Sequence, residues 1–404
     1  MKVAYILNST QMQNGATKSF MTLLESAVDA GVTPTVVLPD KGKLYGELAS
    51  RGIDTMILKY RPAVYPWLDT VSDYLLFAPR LLGRLYLNHK AAARLAGRLG
   101  EKGVDIIHTN VSVIDVGFMA ARKLGVPHIY HIREYADRDF SMAYYPCRRR
   151  FTKRLLSPGS YSICITNDIR RHNRMQGNPR SVVIYNGIRT AARQEENACR
   201  RGGFFLFAGR LEPAKGLDIL MQGYASYCGR CGGEPLPLYL AGNFGSGEAR
   251  RKLEREIEEG GITGKVKFLG VRADIEDVMR QARAIVIPSR FEAFGRCMPE
   301  AMLCGCLAIA RNTGGTLEQL ENGKRLTGRD IALRFDTAEQ LADMLAEAER
   351  MPDEEYRSIT SVARETVRTL YSSENYASSI LSFYRKILSS AACDGKRVCQ
   401  KHPI

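Results

Sequence analysis

The feature that most limits how this chain can fold is a regular alternation of short apolar runs with segments of helical periodicity. The runs are rich in Val, Ile and Leu, as is typical of strands buried on both faces of a parallel sheet. Between them, apolar side chains recur at helical spacing, as from Phe20 to Ala27. This alternation predicts α/β domains built on doubly wound parallel sheets. The predicted strands are residues 3–7, 35–38, 55–58, 106–108, 128–131, 162–165, 182–185, 204–208, 237–240, 266–269, 284–287, 307–310 and 331–335.

The alternation is interrupted once, by a polar stretch without strand character at residues 190–201. We therefore predict two tandem Rossmann-like domains, residues 1–189 and 202–373, joined by a linker at 190–201. A chain of 404 residues with 45% hydrophobic content can bury a core in each of them. An apolar stripe predicts a last helix at 374–390, and the polar residues 391–404 are predicted to form a loose tail. Ligands favour the cleft between two such domains.

The net charge of +15 is compatible with nucleic acid, an anionic membrane surface, acidic substrates or a basic surface without a partner. In the first half, basic side chains alternate with leucines over residues 80–99, and Trp67, Tyr74 and Phe77 come shortly before them. Such a basic amphipathic helix is a candidate contact with an anionic membrane. No aromatic motif of the RNA-binding type accompanies the charge, so nucleic acid is not a predicted partner.

The sequence also suggests a cellular location. No apolar run approaches the roughly 20 residues needed to cross a bilayer, and the apolar start of the chain is too short for a signal peptide. We therefore predict a cytoplasmic protein, with peripheral attachment to the inner face of the plasma membrane as an extension. The ten cysteines are then expected to be reduced.

Two glutamates bracket a predicted corner between a strand and a helix. Glu292 and Glu300 are separated by seven residues that include Ala293, Phe294 and Gly295. The corner follows the predicted strand at 284–287, so it lies at the carboxyl end of a strand, where open α/β sheets bind ligands. Carboxylates beside helix amides suit a ligand rich in hydroxyl and phosphate groups.

A second motif follows the first strand of the second half. Gly209 and Arg210 are followed by Lys215 and Gly216. The glycines allow the backbone to approach a ligand, and the two cations could hold a diphosphate by charge-assisted hydrogen bonds. Taken alone, a solvated turn explains this motif equally well.

Four further stretches carry weaker signals. Gly314 and Gly315 precede a predicted helix, a pattern found at phosphate sites and in plain turns alike. Gly15 lies in a loop that has neither the dinucleotide-binding nor the P-loop pattern. His131 ends a predicted strand beside an arginine and a glutamate, although a lone histidine is more often structural than catalytic. The stretch from Asp137 to Asp139 has the Asp-x-Asp form of some metal sites, but a surface turn is the better interpretation, and no metal site is predicted.

In their order and spacing these motifs resemble the family-4 glycosyltransferases, which are retaining enzymes of the two-domain GT-B fold. The resemblance extends over most of the chain and includes Asn186 and Gly187 before the predicted linker. Three positions depart from the family pattern: Asn14 replaces the first glycine of the opening loop, Ala293 replaces a glycine, and Arg189 stands where an acidic residue is common.

The resemblance implies a nucleotide-sugar donor that is bound mainly by the second domain, with the acceptor entering over the first. The final helix would cross back to the first domain. UDP-sugars are favoured, GDP-sugars remain an alternative, and no separate cofactor is implied. The implied contacts are Glu300 with the ribose, Arg210 and Lys215 with the diphosphate, Glu292 and the amides of Ala293, Phe294 and Gly295 with the transferred sugar, Gly15 with the diphosphate, His131 near the reacting sugar, and Asn186 and Gly209 with the substrate.

The sequence therefore predicts a metal-independent, retaining glycosyltransferase of the hexosyltransferase type. Its predicted acceptor is a glycan, lipid-linked, in the assembly of cell-envelope polysaccharide. Two alternatives remain open: a sugar-nucleotide hydrolase or epimerase of the same fold, and a non-catalytic protein that binds nucleotide sugars or nucleic acid.

Overall fold

The computed structural model describes residues 1–12, 14–66, 70–138, 142–144, 147–189 and 203–399. Trp67, Asp139 and the predicted linker at 190–201 lie outside these residues. The chain forms two compact units. Unit 1 comprises Met1–Gly187 and Ser373–Ile404, and unit 2 comprises Ile188–Ser372.

The elements are numbered along the chain. The strands are β1 (Lys2–Ile6), β2 (Thr33–Leu38), β3 (Asp54–Ile57), β4 (Val64–Pro66), β5 (Ile106–Thr109), β6 (His128–Ile132), β7 (Met142–Tyr144), β8 (Ser160–Cys164), β9 (Ser181–Val183), β10 (Phe205–Ala208), β11 (Leu238–Ala241), β12 (Val266–Gly270), β13 (Ala284–Ile287), β14 (Leu307–Arg311) and β15 (Leu333–Phe335). The helices are α1 (Gly15–Asp29), α2 (Lys43–Ser50), α3 (Val71–Lys102), α4 (Val116–Leu124), α5 (Arg148–Leu155), α6 (Asn167–His172), α7 (Leu217–Arg230), α8 (Gly247–Glu259), α9 (Ile275–Gln281), α10 (Cys297–Leu303), α11 (Gly314–Thr327), α12 (Ala338–Arg350), α13 (Asp353–Leu370) and α14 (Ser373–Cys399). Short 3₁₀ helices occur at Pro213–Lys215 and Thr263–Lys265.

Unit 1 is built on a parallel sheet in which the described strands follow the order β3-β2-β1-β5-β6-β8-β9. Strand order reverses between β1 and β5. The last helix, α14, packs in this unit, where Ile380 and Tyr384 join Phe20 and Leu24 of α1 in one apolar core. The first and last parts of the chain therefore share a core.

Unit 2 repeats the design with the order β12-β11-β10-β13-β14-β15 among its described strands, all parallel. Here the order reverses between β10 and β13, which pair directly. Apolar side chains of α7 and α12 cover one face of the sheet, with Leu220 and Leu341 completely buried. The two parallel α/β sheets confirm the fold class predicted from the sequence.

The structure adds one small sheet that the sequence reasoning missed. Val64–Pro66 pairs antiparallel with Met142–Tyr144. Each strand has three residues, too few to show the period of two that identifies a strand from sequence.

Two helix ends need comment. Asp274 precedes α9, and aspartate is common at helix N-caps, but its side chain makes no cap hydrogen bond and instead accepts hydrogen bonds from Arg272. The ion pair with a neighbouring guanidinium thus takes the place of the cap. At the other end of the chain, α14 continues to Cys399, beyond the predicted end at residue 390. Within the described residues, no helix combines the length and apolarity that a bilayer crossing requires.

Candidate functional site

The predicted donor-binding residues of unit 2 follow β10 and β13, the strands on either side of the reversal in strand order. In open α/β sheets this reversal opens a crevice at the carboxyl ends of the strands, where ligands bind. The loop after β10 carries Arg210 and Lys215, and the loop after β13 carries Glu292. The two loops meet, since Lys215 Nζ lies 2.7 Å from Glu292 Oε2. We call residues 289–300 the acidic corner.

Backbone contacts shape the acidic corner. Gly295 has φ of 81°, a left-handed conformation that favours glycine. The Gly315 N–H donates to the Glu292 carbonyl at 2.7 Å, which ties the corner to the start of α11. A Cβ atom at Gly315 would lie 2.6 Å from the Ala293 carbonyl oxygen, so only glycine fits this close approach. Gly315 therefore serves the packing of two loops.

Two side chains contact the same oxygen of the Glu292 carboxylate. Lys215 pairs with it at 2.7 Å, and the Ser289 hydroxyl donates to the same oxygen at 2.9 Å. Burial lowers the pKa of the Lys215 ammonium, but the charge and hydrogen bond of Glu292 raise it by more, so the pKa lies above its usual value. Lys215 is therefore a fixed positive charge at neutral pH.

Arg210 extends from the same loop as Lys215. Its guanidinium pairs with Glu212 at 2.7 Å, and its side chain keeps 40% of its surface exposed. The backbone at Gly209 is crowded, because a Cβ at Gly242 would lie 1.7 Å from the Gly209 carbonyl oxygen. Gly242 therefore allows the end of β11 to approach the end of β10, and Arg210 lies at the surface beside them.

Glu300 lies in the first turn of α10. Its carboxylate pairs with Arg296 at 2.9 Å, one helical turn earlier. Pro299 precedes it and is buried, which the first turn of a helix tolerates. Both glutamates of the acidic corner therefore face a cation, and sequence spacing alone did not indicate the partner of Glu300.

The side chains of Ala293 and Phe294, which lie between the two glutamates, are buried. Ala293 and Phe294 are 9% and 2% exposed, and the Phe294 ring packs edge-on against Tyr371 with centroids 5.5 Å apart. The Gln319 amide donates to the Phe294 carbonyl. The Phe294 side chain therefore packs into the core, and only backbone atoms of this segment are suited to contact a ligand.

Three predicted residues lie in unit 1. Gly15 is the first residue of α1, and the preceding Asn14 makes no side-chain cap, because its amide donates to Ser9 at 3.0 Å. Asn186 accepts a hydrogen bond from the Arg133 guanidinium. His131, on β6, is fully buried. Their contacts with substrate stay predictions.

Burial determines the charge of His131. It lowers the pKa of the ring well below the usual value, and the nearby Arg133 and His108 lower it further. His131 is therefore neutral at physiological pH. The sequence marks Arg133 only as a neighbour of His131, whereas the structure brings it into contact with both His131 and Asn186.

Asp137, predicted to lie in a surface turn, has two partners in the structure. His172 Nε2 lies 2.9 Å from one carboxylate oxygen and Arg148 lies 3.1 Å from the other. The preceding Ala136 is buried and has φ of 66°, an uncommon value for a residue with a side chain. Over the described ranges, no three or more His, Cys, Asp and Glu side chains are grouped so as to hold a metal ion.

Comparison with known proteins follows the same division of the chain. Residues 13–192 match the model of the family "Glycosyltransferase Family 4", and residues 188–366 match that of "Glycosyl transferases group 1". Together the two matches extend over nearly the whole described chain.

Among curated relatives, the chain is 26% identical over 229 residues to an uncharacterized glycosyltransferase of Methanocaldococcus jannaschii, covering 55% of this chain and 60% of the relative. It is 31% identical over 205 residues to a D-inositol 3-phosphate glycosyltransferase of Rhodococcus jostii, covering 49% of this chain and 44% of the relative. The match thus spans 60% of the length of the first relative and 44% of the length of the second.

The fold is similar over the whole length of a solved structure, HepE of Anabaena in complex with UDP. That comparison gives a TM-score of 0.74 at 20% identity and covers 96% of this chain and 100% of HepE. At this identity the likeness shows the GT-B fold. With both family models matched in chain order and the acidic corner at the reversal of the second sheet, this chain belongs to the group 1 and family 4 glycosyltransferases.

Proposed function

We propose that this protein transfers a sugar from a nucleotide-diphosphate sugar to a glycan acceptor, with retention of configuration. The observation that carries the proposal is the meeting of Lys215 with Glu292 at the reversal of the unit 2 sheet. A cation and a carboxylate at this place suit a ligand with a diphosphate beside a polyhydroxylated sugar. HepE, which shares the fold, has been described in complexes with UDP and UDP-glucose, which favours a UDP-sugar donor.

Each side chain has a distinct part in this proposal. Breaking the glycosidic bond leaves negative charge on the departing diphosphate, and Arg210 and Lys215 stabilise that charge. Glu300 accepts hydrogen bonds from the ribose hydroxyls, and Glu292 accepts them from the transferred sugar. Because each glutamate faces a cation in the structure, donor binding exchanges these ion pairs for contacts with the ligand.

Retention requires either a protein nucleophile or attack on the face from which the leaving group departs. Glu292 accepts a hydrogen bond from Ser289 in the structure and, in this proposal, further hydrogen bonds from the transferred sugar, and a carboxylate so engaged is a weak nucleophile. This supports same-face attack. The acceptor oxygen forms the new bond as the bond to the diphosphate breaks, and the departing phosphate oxygen takes the acceptor proton.

We further propose that the reaction needs no metal ion. The two cations after β10 supply positive charge at the diphosphate, the role that a divalent ion performs in other transferases. The test is transfer in the presence of EDTA, where an unchanged rate is expected. A rate restored only by Mg²⁺ or Mn²⁺ would contradict this part of the proposal.

The acceptor is proposed to be a lipid-linked glycan, used in cell-envelope polysaccharide assembly at the inner face of the plasma membrane. Support comes from α3, whose first half exposes large apolar side chains to solvent. Contiguous exposed apolar surface marks interaction sites, and adjacent basic residues favour an anionic membrane. The exposed apolar residues are Val71, Tyr74, Leu75, Leu76, Leu82, Leu85 and Tyr86. Leu81, Leu95 and Leu99 of the same helix are buried and anchor it to unit 1.

Flotation with vesicles tests the membrane contact. We expect binding to vesicles of phosphatidylglycerol and phosphatidylcholine and weaker binding to phosphatidylcholine alone. Replacing Leu75 and Leu82 by serine, or neutralising Arg80 and Arg94, should reduce binding. Val271→Ser removes an exposed apolar side chain of unit 2 and is the matched control. Equal flotation of all variants, or none by the native protein, would remove the membrane contact from the proposal.

Donor and reaction are tested in two steps. A ligand of the native state raises its thermal stability, so a UDP-sugar should raise the melting temperature more than GDP- or ADP-sugars. Product analysis with and without a glycan acceptor then identifies the reaction. A new glycosidic bond formed only with acceptor supports transfer, whereas free sugar or an isomerised donor would indicate a hydrolase or an epimerase. Failure of all three donor classes to bind would contradict the proposal.

A further inference from the structure

Six of the buried polar side chains of unit 1 are joined by hydrogen bonds into one cluster, which we call the histidine network. They come from parts of the chain that are far apart in sequence. His108 lies on β5 and His131 on β6, while Tyr376 and Tyr384 belong to α14. The members are His108, His131, Arg133, Asn186, Tyr376 and Tyr384.

The positions of the ring protons follow from the contacts of Arg133. Its Nη2 lies 3.2 Å from His131 Nδ1, and a guanidinium can only donate hydrogen bonds. His131 Nδ1 is therefore an acceptor, and the single proton of the neutral ring sits on Nε2. The same Arg133 nitrogen also donates to the Tyr376 hydroxyl at 2.7 Å, which fixes the guanidinium against α14.

His108 continues the chain of hydrogen bonds. Its Nε2 lies 3.1 Å from the same His131 Nδ1, which carries no proton, so His108 must donate from Nε2. Its Nδ1 is then an acceptor and receives a hydrogen bond that the Tyr384 hydroxyl donates. Every hydrogen bond in this series thus points from α14 towards His131.

The series ends on an atom without a partner. His131 Nε2 is buried, and among the described residues it has no hydrogen-bond partner. Buried N–H groups are rarely left unpaired in native proteins, and those that are call for a functional explanation. Two donors converge on one side of this ring, while its own donor on the other side is buried without a partner among the described residues.

We propose that Tyr384 is a positioning residue that, through His108, holds His131 with its proton on Nε2, so that a ligand that reaches this buried atom meets a hydrogen-bond donor and not a base. The role of that donor in transfer rests on the proposed function, but the protonation pattern does not. Without the Tyr384 hydroxyl, His108 loses the donor to Nδ1 and can shift its proton there. Its Nε2 lone pair would then face that of His131 Nδ1, and the ring of His131 would lose its fixed orientation.

Nitrogen NMR of the full chain labelled with ¹⁵N-histidine tests the pattern directly, since the sequence has only six histidines. Substituting the histidines one at a time assigns the signals. We expect both His108 and His131 to be neutral with the proton on Nε2 in the ligand-free native protein. A proton on Nδ1 of His131 would overturn the proposal, whatever the enzymatic activity.

Tyr384→Phe tests the role of the hydroxyl. We expect a second tautomer of His108 in its spectrum and a kcat lowered about tenfold, the size of one net hydrogen bond, with the donor KM unchanged. The matched control is Tyr130→Phe, which removes a buried hydroxyl from the strand that carries His131. An unchanged spectrum and kcat in Tyr384→Phe would overturn the proposal. If Tyr384→Phe does not fold, the spectrum of the native protein still tests the protonation pattern. If the variant folds and its tautomers change, but the native protein transfers no sugar, the result counts against the proposed function alone.

Discussion

In unit 2 the charged side chains of the acidic corner stay partly exposed and pair with opposite charges, whereas in unit 1 the histidine network is enclosed and its rings are neutral. Lys215 and Glu292 retain 21% and 15% of their side-chain surface, while His108 and His131 retain none as residues. Partly exposed ion pairs exchange partners at small cost, because water compensates each charge. Enclosed neutral groups hold one arrangement, because an unmatched polar group is costly there. The first region is therefore suited to gripping and releasing a charged ligand, and the second to fixing one geometry.

The largest expected effect tests the fixed charge in unit 2. Lys215→Ala should lower kcat by about a hundredfold or more, the usual size for removing one preorganised group that stabilises developing charge. The measurement is the rate of nucleoside diphosphate release under saturating donor. Lys265→Ala is the matched control, since Lys265 also ends a 3₁₀ helix of unit 2. Equal rates in the two variants would show that the leaving group is stabilised elsewhere.

The next effect concerns the scaffold of the acidic corner. Gly315→Ala places a Cβ 2.6 Å from the Ala293 carbonyl oxygen and should cost about 3 kcal/mol, at the upper end for overpacking. Urea unfolding measures this loss. Gly229→Ala, where a Cβ would meet nothing within 4 Å, is the control and should be neutral or slightly stabilising. A stable Gly315→Ala would mean that the two loops can separate freely.

A moderate effect is expected at Glu300. Glu300→Gln keeps the shape but removes the charge that is proposed to accept hydrogen bonds from the ribose, so the donor KM should rise about tenfold while kcat changes little. Steady-state kinetics with varied donor separates the two constants. Glu276→Gln, on the exposed face of α9, serves as the control. A fall in kcat without a change in KM would place Glu300 at the reacting sugar.

The smallest expected effect, counted as the loss of stability per pH unit, concerns the enclosed histidine rings of unit 1. Burial, with Arg133 nearby, lowers the pKa of His108 to about 3 in the folded protein. Below its ordinary pKa of about 6.5, the unfolded chain binds a proton that the native state does not. The stability that this neutral ring contributes is complete above about pH 6.5 and is lost as the pH falls towards 3, by at most about 1.4 kcal/mol per pH unit.

Urea midpoints measured between pH 7 and pH 4 check this dependence. Substituting His108 by Gln should reduce this dependence without abolishing it, because the amide does not titrate, while the buried His128 and His131, whose pKa values are also lowered, still do. Substituting the exposed His89 by Gln should leave it unchanged and serves as the control. An equal slope in all three proteins would show that acid acts on other groups.

The sequence allowed the sheets and the position of the donor motifs to be predicted, because buried parallel strands are nearly uniformly apolar and strand ends carry the loops that bind ligands. It could not predict the partners of the motif residues. Arg133 bonds to Tyr376, 243 positions further along the chain, and no local pattern encodes such a contact. Likewise, the motif implies a ligand contact for the Phe294 amide but does not predict that the Phe294 ring packs on Tyr371.

The place of α14 in unit 1 bears on how the protein is made. Tyr376, Ile380 and Tyr384 complete a core whose other members include Tyr5 and Phe20. Domains generally fold as they leave the ribosome, from the amino terminus onward. Here the strands of unit 1 are synthesised early, but their core is complete only when the last helix has been made. Unit 2 can therefore fold completely while unit 1 still exposes part of its core to chaperones. Chains that stop before residue 373 should accumulate as aggregates or be degraded, even though every strand of both sheets has been translated.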